Sequence, residues 1–125
     1  MIRILIVEDD FAVRDTLKDF IEFMYDDVEV VEASNGMSAN DLIDKERYDI
    51  MITDQMMPDI KGSDLIARNI EKLQSEGTWV YVYSGQMEEE LREKLAPFSQ
   101  VKVIDKFTNP MFFKEIIDAY KEQNS

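Results

Sequence analysis

Five short apolar runs alternate with longer amphipathic stretches along this chain. Ile2–Val7, Val28–Val31, Ile50–Thr53, Trp79–Tyr83 and Val101–Ile104 are rich in β-branched and aromatic residues, which predicts strands. Several are apolar at both parities, as expected of parallel strands covered by helices on both faces. Between them, Val13, Leu17, Phe20, Ile21 and Met24 follow a helical period, as do Leu65, Ile66, Ile70 and Leu73, and Phe113, Ile116, Ile117 and Tyr120. Met37–Glu46 and Met87–Leu95 are weaker helical segments. Asn35-Gly36 and Glu76-Gly77 read as turns, Pro97 marks the approach to the fifth strand, and Asn109-Pro110 reads as an N-cap followed by proline at the first helical position.

A strand-helix unit repeated five times implies one open parallel sheet with right-handed crossovers. Such sheets bind ligands outside the carboxyl ends of their strands, where the strand order reverses. Those ends are polar here. Glu8, Asp9 and Asp10 follow the first strand and Asp54 the third; Ser84-Gly85 follow the fourth, and Asp105-Lys106 the fifth. Carboxylates brought together from neighbouring strands repel and shift one another's ionisation unless a cation sits among them. An oxygen-only set suits a hard divalent ion such as Mg2+. Not every acid counts toward it: Asp10 has the simpler reading of a cap for the helix starting near Phe11, and Glu88-Glu89-Glu90 that of acids complementing a helix dipole.

The composition narrows the chemistry. Among 125 residues there are 27 acidic and 14 basic side chains, a formal net charge of −13, which argues against nucleic acid or an anionic membrane as a direct partner. There is no cysteine and no histidine, so disulfides, thiol nucleophiles, imidazole bases and a phosphohistidine on this chain are excluded. No apolar run reaches the length of a membrane helix. The first strand runs directly into Glu8-Asp9-Asp10, unlike a secretory signal. A cytoplasmic protein is expected.

Four motifs now carry a resemblance: Val7-Glu8-Asp9-Asp10 after the first strand, Asp54-Gln55-Met56-Met57-Pro58-Asp59-Ile60-Lys61-Gly62 after the third, Ser84-Gly85 after the fourth and Lys106 after the fifth. In this order, at these strand ends, they resemble the receiver domain of two-component response regulators over essentially the whole chain. The resemblance implies an α/β, flavodoxin-like (βα)5 doubly wound parallel sheet with strand order 2-1-3-4-5. It also implies one receiver domain over residues 1–125 with no output domain, since five βα units use up the length.

By the same resemblance, Asp54 is the phosphoacceptor, taking a phosphoryl group from a phosphohistidine of a partner histidine kinase or phosphotransfer protein. Asp9 matches the direct metal-binding acid and Glu8 the acid that holds Mg2+ through water. Asp54 itself and the backbone carbonyl of Met56 complete the metal set. Ser84 matches the switch hydroxyl and Lys106 the phosphoryl-binding lysine. The face formed by the fourth helix, fifth strand and fifth helix would then contact a downstream target protein, or a second copy in a phosphorylation-dependent dimer. Phe112 is a candidate contact there, or a core residue beside Phe113. Such a domain catalyses its own phosphorylation and slow hydrolysis without being a turnover enzyme, and Met56 and Gln86 lie at positions that tune the hydrolysis.

Two positions depart from the family pattern. Phe107 replaces the proline that usually follows the lysine, and a cis bond before a non-proline residue costs about 2.5–4 kcal/mol, which predicts a trans Lys106–Phe107 bond. Val103 replaces an aromatic residue that often rotates with the switch, leaving Tyr83 and Phe107 as aromatic substitutes. Two other readings stand beside the receiver: an unphosphorylated pseudo-receiver acting purely by interaction, and a Mg2+-dependent phosphatase using Asp54 as a transient nucleophile. The phosphatase would normally carry a second acid where this chain has Met56.

Overall fold

The computed structural model describes residues 1–85, 89–105 and 111–124. Its strands are β1 (Ile2–Val7), β2 (Val28–Ala33), β3 (Ile50–Asp54), β4 (Trp79–Ser84) and β5 (Val101–Asp105). The helices between and after them are α1 (Phe11–Met24), α2 (Gly36–Lys45), α3 (Gly62–Ser75), α4 (Glu89–Leu95) and α5 (Met111–Gln123). The strands form one sheet in the order β2-β1-β3-β4-β5, with every neighbouring pair parallel. The expected doubly wound architecture and strand order are therefore present.

Strand parity divides the core in two. Leu5, Val7, Met51, Val80 and Val82 share a buried cluster with Ala39, Ile43, Leu65, Ile66, Leu73, Leu91 and Leu95 of α2, α3 and α4. The alternate positions Ile4, Ile6, Ile50, Ile52, Tyr81 and Tyr83 share another with Leu17 and Ile21 of α1 and Phe113, Ile116, Ile117 and Tyr120 of α5. Each large aliphatic side chain fully withdrawn from water contributes roughly 1.5–3 kcal/mol, so the two faces together hold the sheet rigid beneath its loops. Phe112 is half-buried against the α1/α5 cluster and meets Phe113 edge to face at 6.3 Å. Its inner side thus packs on the core, as one of its two readings expects.

Four strands run one or two residues past the apolar pattern, β5 among them with Asp105 as its last position. β2 continues to Ala33, which pairs with Val7; β3 includes Asp54, paired with Tyr83; β4 includes Ser84, paired with Asp105. The apolar signal stops early because the last ladder positions carry the polar side chains of the sheet's carboxyl edge. Asp10 caps α1 as expected, its Oδ1 accepting from the backbone N–H groups of Ala12 at 2.9 Å and Val13 at 3.3 Å. Asn35 differs from its reading as a turn residue: it is the N-cap of α2, with Oδ1 accepting from Ser38 N at 2.8 Å. Gly77 does turn the chain, at φ 68°. No peptide bond among the described residues is cis; the Lys106–Phe107 bond, Gln86 and the Asn109-Pro110 cap lie outside them.

Candidate functional site

The strand order reverses between β1 and β3, and their register sets the site. Val7 pairs with Thr53, so the next residues, Glu8 and Asp54, leave neighbouring strands side by side. Glu8 and Asp54 are buried while Asp9 is exposed. One carboxylate oxygen from each of the three lies within 4.8 Å of the others. Oxygens on opposite sides of an octahedral Mg2+ shell are about 4.2 Å apart, and the set contains only oxygen donors. Glu8, Asp9 and Asp54 thus offer the kind of donor set that a hard divalent cation takes.

Glu8 is the most constrained of the three. Its Oε1 accepts from the Tyr83 hydroxyl at 2.9 Å, its Oε2 from Asp10 N at 3.3 Å, and its backbone carbonyl from Arg14 Nη1 at 2.8 Å. Burial, then the neighbouring Asp54 and Asp9, push its pKa up to about 7, with the Tyr83 hydroxyl working the other way. A divalent ion bound among these acids would favour the ionised form of Glu8.

Asp54 sits at the last position of β3. Its Oδ1 accepts from Met56 N at 3.3 Å, and Gln55 N donates to the Tyr83 carbonyl at 3.0 Å. The loop onward to α3 is closed by a clasp: Gly62 N donates to the Gln55 carbonyl at 2.9 Å, Ser63 N to Gln55 Oε1 at 2.8 Å, and Gln55 Nε2 to Ser63 Oγ at 3.0 Å. Further along the loop, Asp59 turns outward to α2. Its carboxylate accepts from the backbone N–H groups of Gly36 at 3.1 Å, Met37 at 2.9 Å and Ile60 at 2.9 Å.

The structure thus brings Glu8, Asp9 and Asp54 together and ties Met56 to Asp54 through its backbone N–H. Met56's side chain is exposed, consistent with a position that works through the main chain. Ser84 is buried at the end of β4, one residue beyond the partner of Asp54. Lys106, the residue after β5, lies outside the described residues. Val103 is half-buried against the α2/α3/α4 cluster. Sequence reasoning did not assign three contributors, Tyr83 as a partner of Glu8, the Gln55–Ser63 clasp and Asp59 as a second cap of α2. Strand parity could have found the first, because Tyr83 is two residues beyond Tyr81 on the α1/α5 face.

The response regulator receiver domain family matches residues 4–119, and the chain belongs to it. Sporulation initiation phosphotransferase F of Bacillus subtilis (strain 168) is 27% identical over 120 residues, spanning 96% of this chain and 91% of that protein. The sensor histidine kinase TmoS of Ectopseudomonas mendocina is 30% identical over 133 residues, which is 98% of this chain but 13% of the kinase. Among solved structures, the CheY-like receiver domain protein of Methanospirillum hungatei JF-1 superimposes with a TM-score of 0.84 at 25% identity, covering 99% of this chain and 97% of that one. The N-terminal domain of a Wolinella succinogenes protein gives a TM-score of 0.85 at 26% identity over the same shares, 99% and 97%. Receiver domains are signalling domains, generally without turnover, that bind Mg2+ in an acidic pocket and interact with histidine kinases and downstream targets. Among the described residues no helix is long and apolar enough to cross a membrane.

Proposed function

We propose that Asp54 is the phosphoacceptor of a cytoplasmic phosphorelay. The observation that carries this is the convergence of one oxygen each from Glu8, Asp9 and Asp54 within 4.8 Å at the carboxyl edge of the sheet. An Asp54 carboxylate oxygen attacks the phosphorus of a partner's phosphohistidine; the P–N bond breaks, the imidazole leaves, and an acyl phosphate remains on Asp54. Similarity to a sporulation initiation phosphotransferase supports a role in phosphoryl transfer.

An anion attacking an anion needs positive charge in the site. Glu8, Asp9, Asp54 and the Met56 carbonyl would hold Mg2+, which offsets that charge when bound. Lys106 pairs with one phosphoryl oxygen, and the Ser84 hydroxyl donates to another. Because Ser84 ends β4 beside β5, its movement is transmitted to the face of α4, β5 and α5. That face carries the output to a target protein or a second copy.

The test is incubation with Mg2+ and acetyl phosphate followed by intact mass. A gain of about 80 Da that needs Mg2+ and disappears in Asp54→Asn is expected. A wild-type protein that takes up no phosphoryl group at any Mg2+ concentration overturns the reading in favour of a pure interaction module.

A further inference from the structure

Tyr83 touches the site at both of its ends. Its backbone pairs with Asp54 in the ladder and its carbonyl accepts from Gln55 N at 3.0 Å. Its hydroxyl, across the thickness of the strand, donates to Glu8 Oε1 at 2.9 Å. The ring lies in the α1/α5 cluster with Ile6, Ile52 and Phe113 and is only 3% exposed. A ring packed this closely has few alternative rotamers, so the hydroxyl is fixed in space before any ligand arrives.

We propose that Tyr83 is a positioning residue for the metal site, holding the Glu8 carboxylate where one of its oxygens joins those of Asp9 and Asp54. The inference rests on the reading of those three acids as the Mg2+ site. A glutamate side chain has three rotatable bonds, and a ligand that must be ordered on binding lowers the affinity by the cost of ordering it. Asp10 N and the Arg14 bond to the Glu8 carbonyl secure the main chain around Glu8 and one carboxylate oxygen; Tyr83 secures the other from β4, with β3 between the two strands. A phenol is protonated throughout the physiological range, so the hydroxyl remains a hydrogen-bond donor. The arrangement is that of an outer partner orienting a metal ligand, a kind of contact whose loss typically weakens metal binding by 10-fold or more.

Tyr83→Phe keeps the ring and removes the bond. In titration calorimetry of the full chain with Mg2+ alone, the variant is expected to show a dissociation constant raised about tenfold. In acetyl phosphate labelling, half-saturating Mg2+ should rise by the same factor while labelling at saturating Mg2+ returns to the wild-type level. A purely structural role would lower the stability and leave the Mg2+ requirement where it was. In a Glu8→Gln background, Tyr83→Phe should cause little further loss, because the tyrosine acts through Glu8. Equal Mg2+ affinity in wild type and Tyr83→Phe, with binding abolished by Asp9→Asn, overturns the assignment to Tyr83 and leaves the metal site standing. Absence of Mg2+ binding by the wild type overturns both.

Discussion

A β-carbon at Gly62 would sit 2.4 Å from the backbone carbonyl oxygen of Asp54 and 3.2 Å from its carbonyl carbon. The obstructing atoms are main chain, in the residue proposed to accept the phosphoryl group, and no flexible side chain can yield in their place. Only glycine allows α3 to begin this close beneath the end of β3. The same contact lets Gly62 N reach the Gln55 carbonyl and close the clasp that fixes the loop.

Gly62→Ala should therefore cost about 1–3 kcal/mol of stability by overpacking and also slow phosphoryl uptake by shifting Asp54. Gly77→Ala is the control. Gly77 stands at φ 68° with no atom within 4 Å of a built β-carbon, so alanine there costs roughly 1–2 kcal/mol through backbone conformation alone, far from the acids. Urea denaturation should find both variants destabilised, and acetyl phosphate labelling should slow only in Gly62→Ala. Unchanged labelling in both would show that the close approach does not position Asp54.

The architecture was legible because β1, β3 and β4 are apolar at both parities and each long helix shows a single stripe. The acids were legible for a related reason: a hydrophobic run that ends in Glu8-Asp9 or Asp54 announces a strand end that water or a ligand must reach. What the chain did not announce were contacts fixed by tertiary placement. Asn35 reads as a turn residue beside Gly36, and nothing local says that Asp59, more than twenty positions later, supplies the other half of the same helix cap. Tyr83 reads as one more bulky strand residue, because a hydroxyl's partner depends on the register between β1, β3 and β4. Gln55 is a polar residue in a loop motif until Ser63 is seen folded back over it.

A third buried acid, Asp49, lies at the opposite edge of the sheet from Glu8 and Asp54. Asp49 Oδ2 accepts from Arg3 N at 2.8 Å, and its Oδ1 accepts from Arg47 Nη1 at 2.7 Å and the Tyr120 hydroxyl at 2.8 Å. Burial opposes its ionisation, but the Arg3 N–H, the Tyr120 hydroxyl and the Arg47 guanidinium outweigh it, and its pKa lies below the ordinary carboxylate value. A carboxyl group whose pKa is lowered on folding contributes stability that is present above its unfolded pKa, about 3.9, and is lost as the pH falls through the folded value. Asp49→Asn should accordingly lower stability by about 1–2 kcal/mol at neutral pH, with the gap to wild type narrowing below pH ~4. Urea midpoints followed by Trp79 fluorescence suit this test, because Trp79 packs edge to face on Tyr120 at 5.1 Å. A gap that stays constant down to the acid limit would mean that the carboxylate charge contributes nothing there.

The start of α2 is capped from two directions, and the two caps are separable. Asn35 Oδ1 takes the Ser38 N–H at 2.8 Å, while Asp59, arriving from the loop after β3, takes those of Gly36 at 3.1 Å and Met37 at 2.9 Å. Those three donors would otherwise be orphans of the first turn. The Asp59 charge also faces the positive end of the helix dipole, and its backbone N–H partners hold its pKa below the usual range against the opposing effect of burial. Asn35→Ala and Asp59→Ala should each cost about 1 kcal/mol. Because they satisfy different donors, their effects should be nearly additive in the double variant. Hydrogen exchange distinguishes them residue by residue: Asp59→Ala should accelerate the Gly36 and Met37 amides, and Asn35→Ala that of Ser38. If Asp59→Ala left the Gly36 and Met37 amides as protected as in wild type, the loop after β3 would not be anchored to α2 through this carboxylate. In that case the orientation of the Asp54 loop would rest on its other anchors, the Gln55–Ser63 clasp and the Gly62 contact among them.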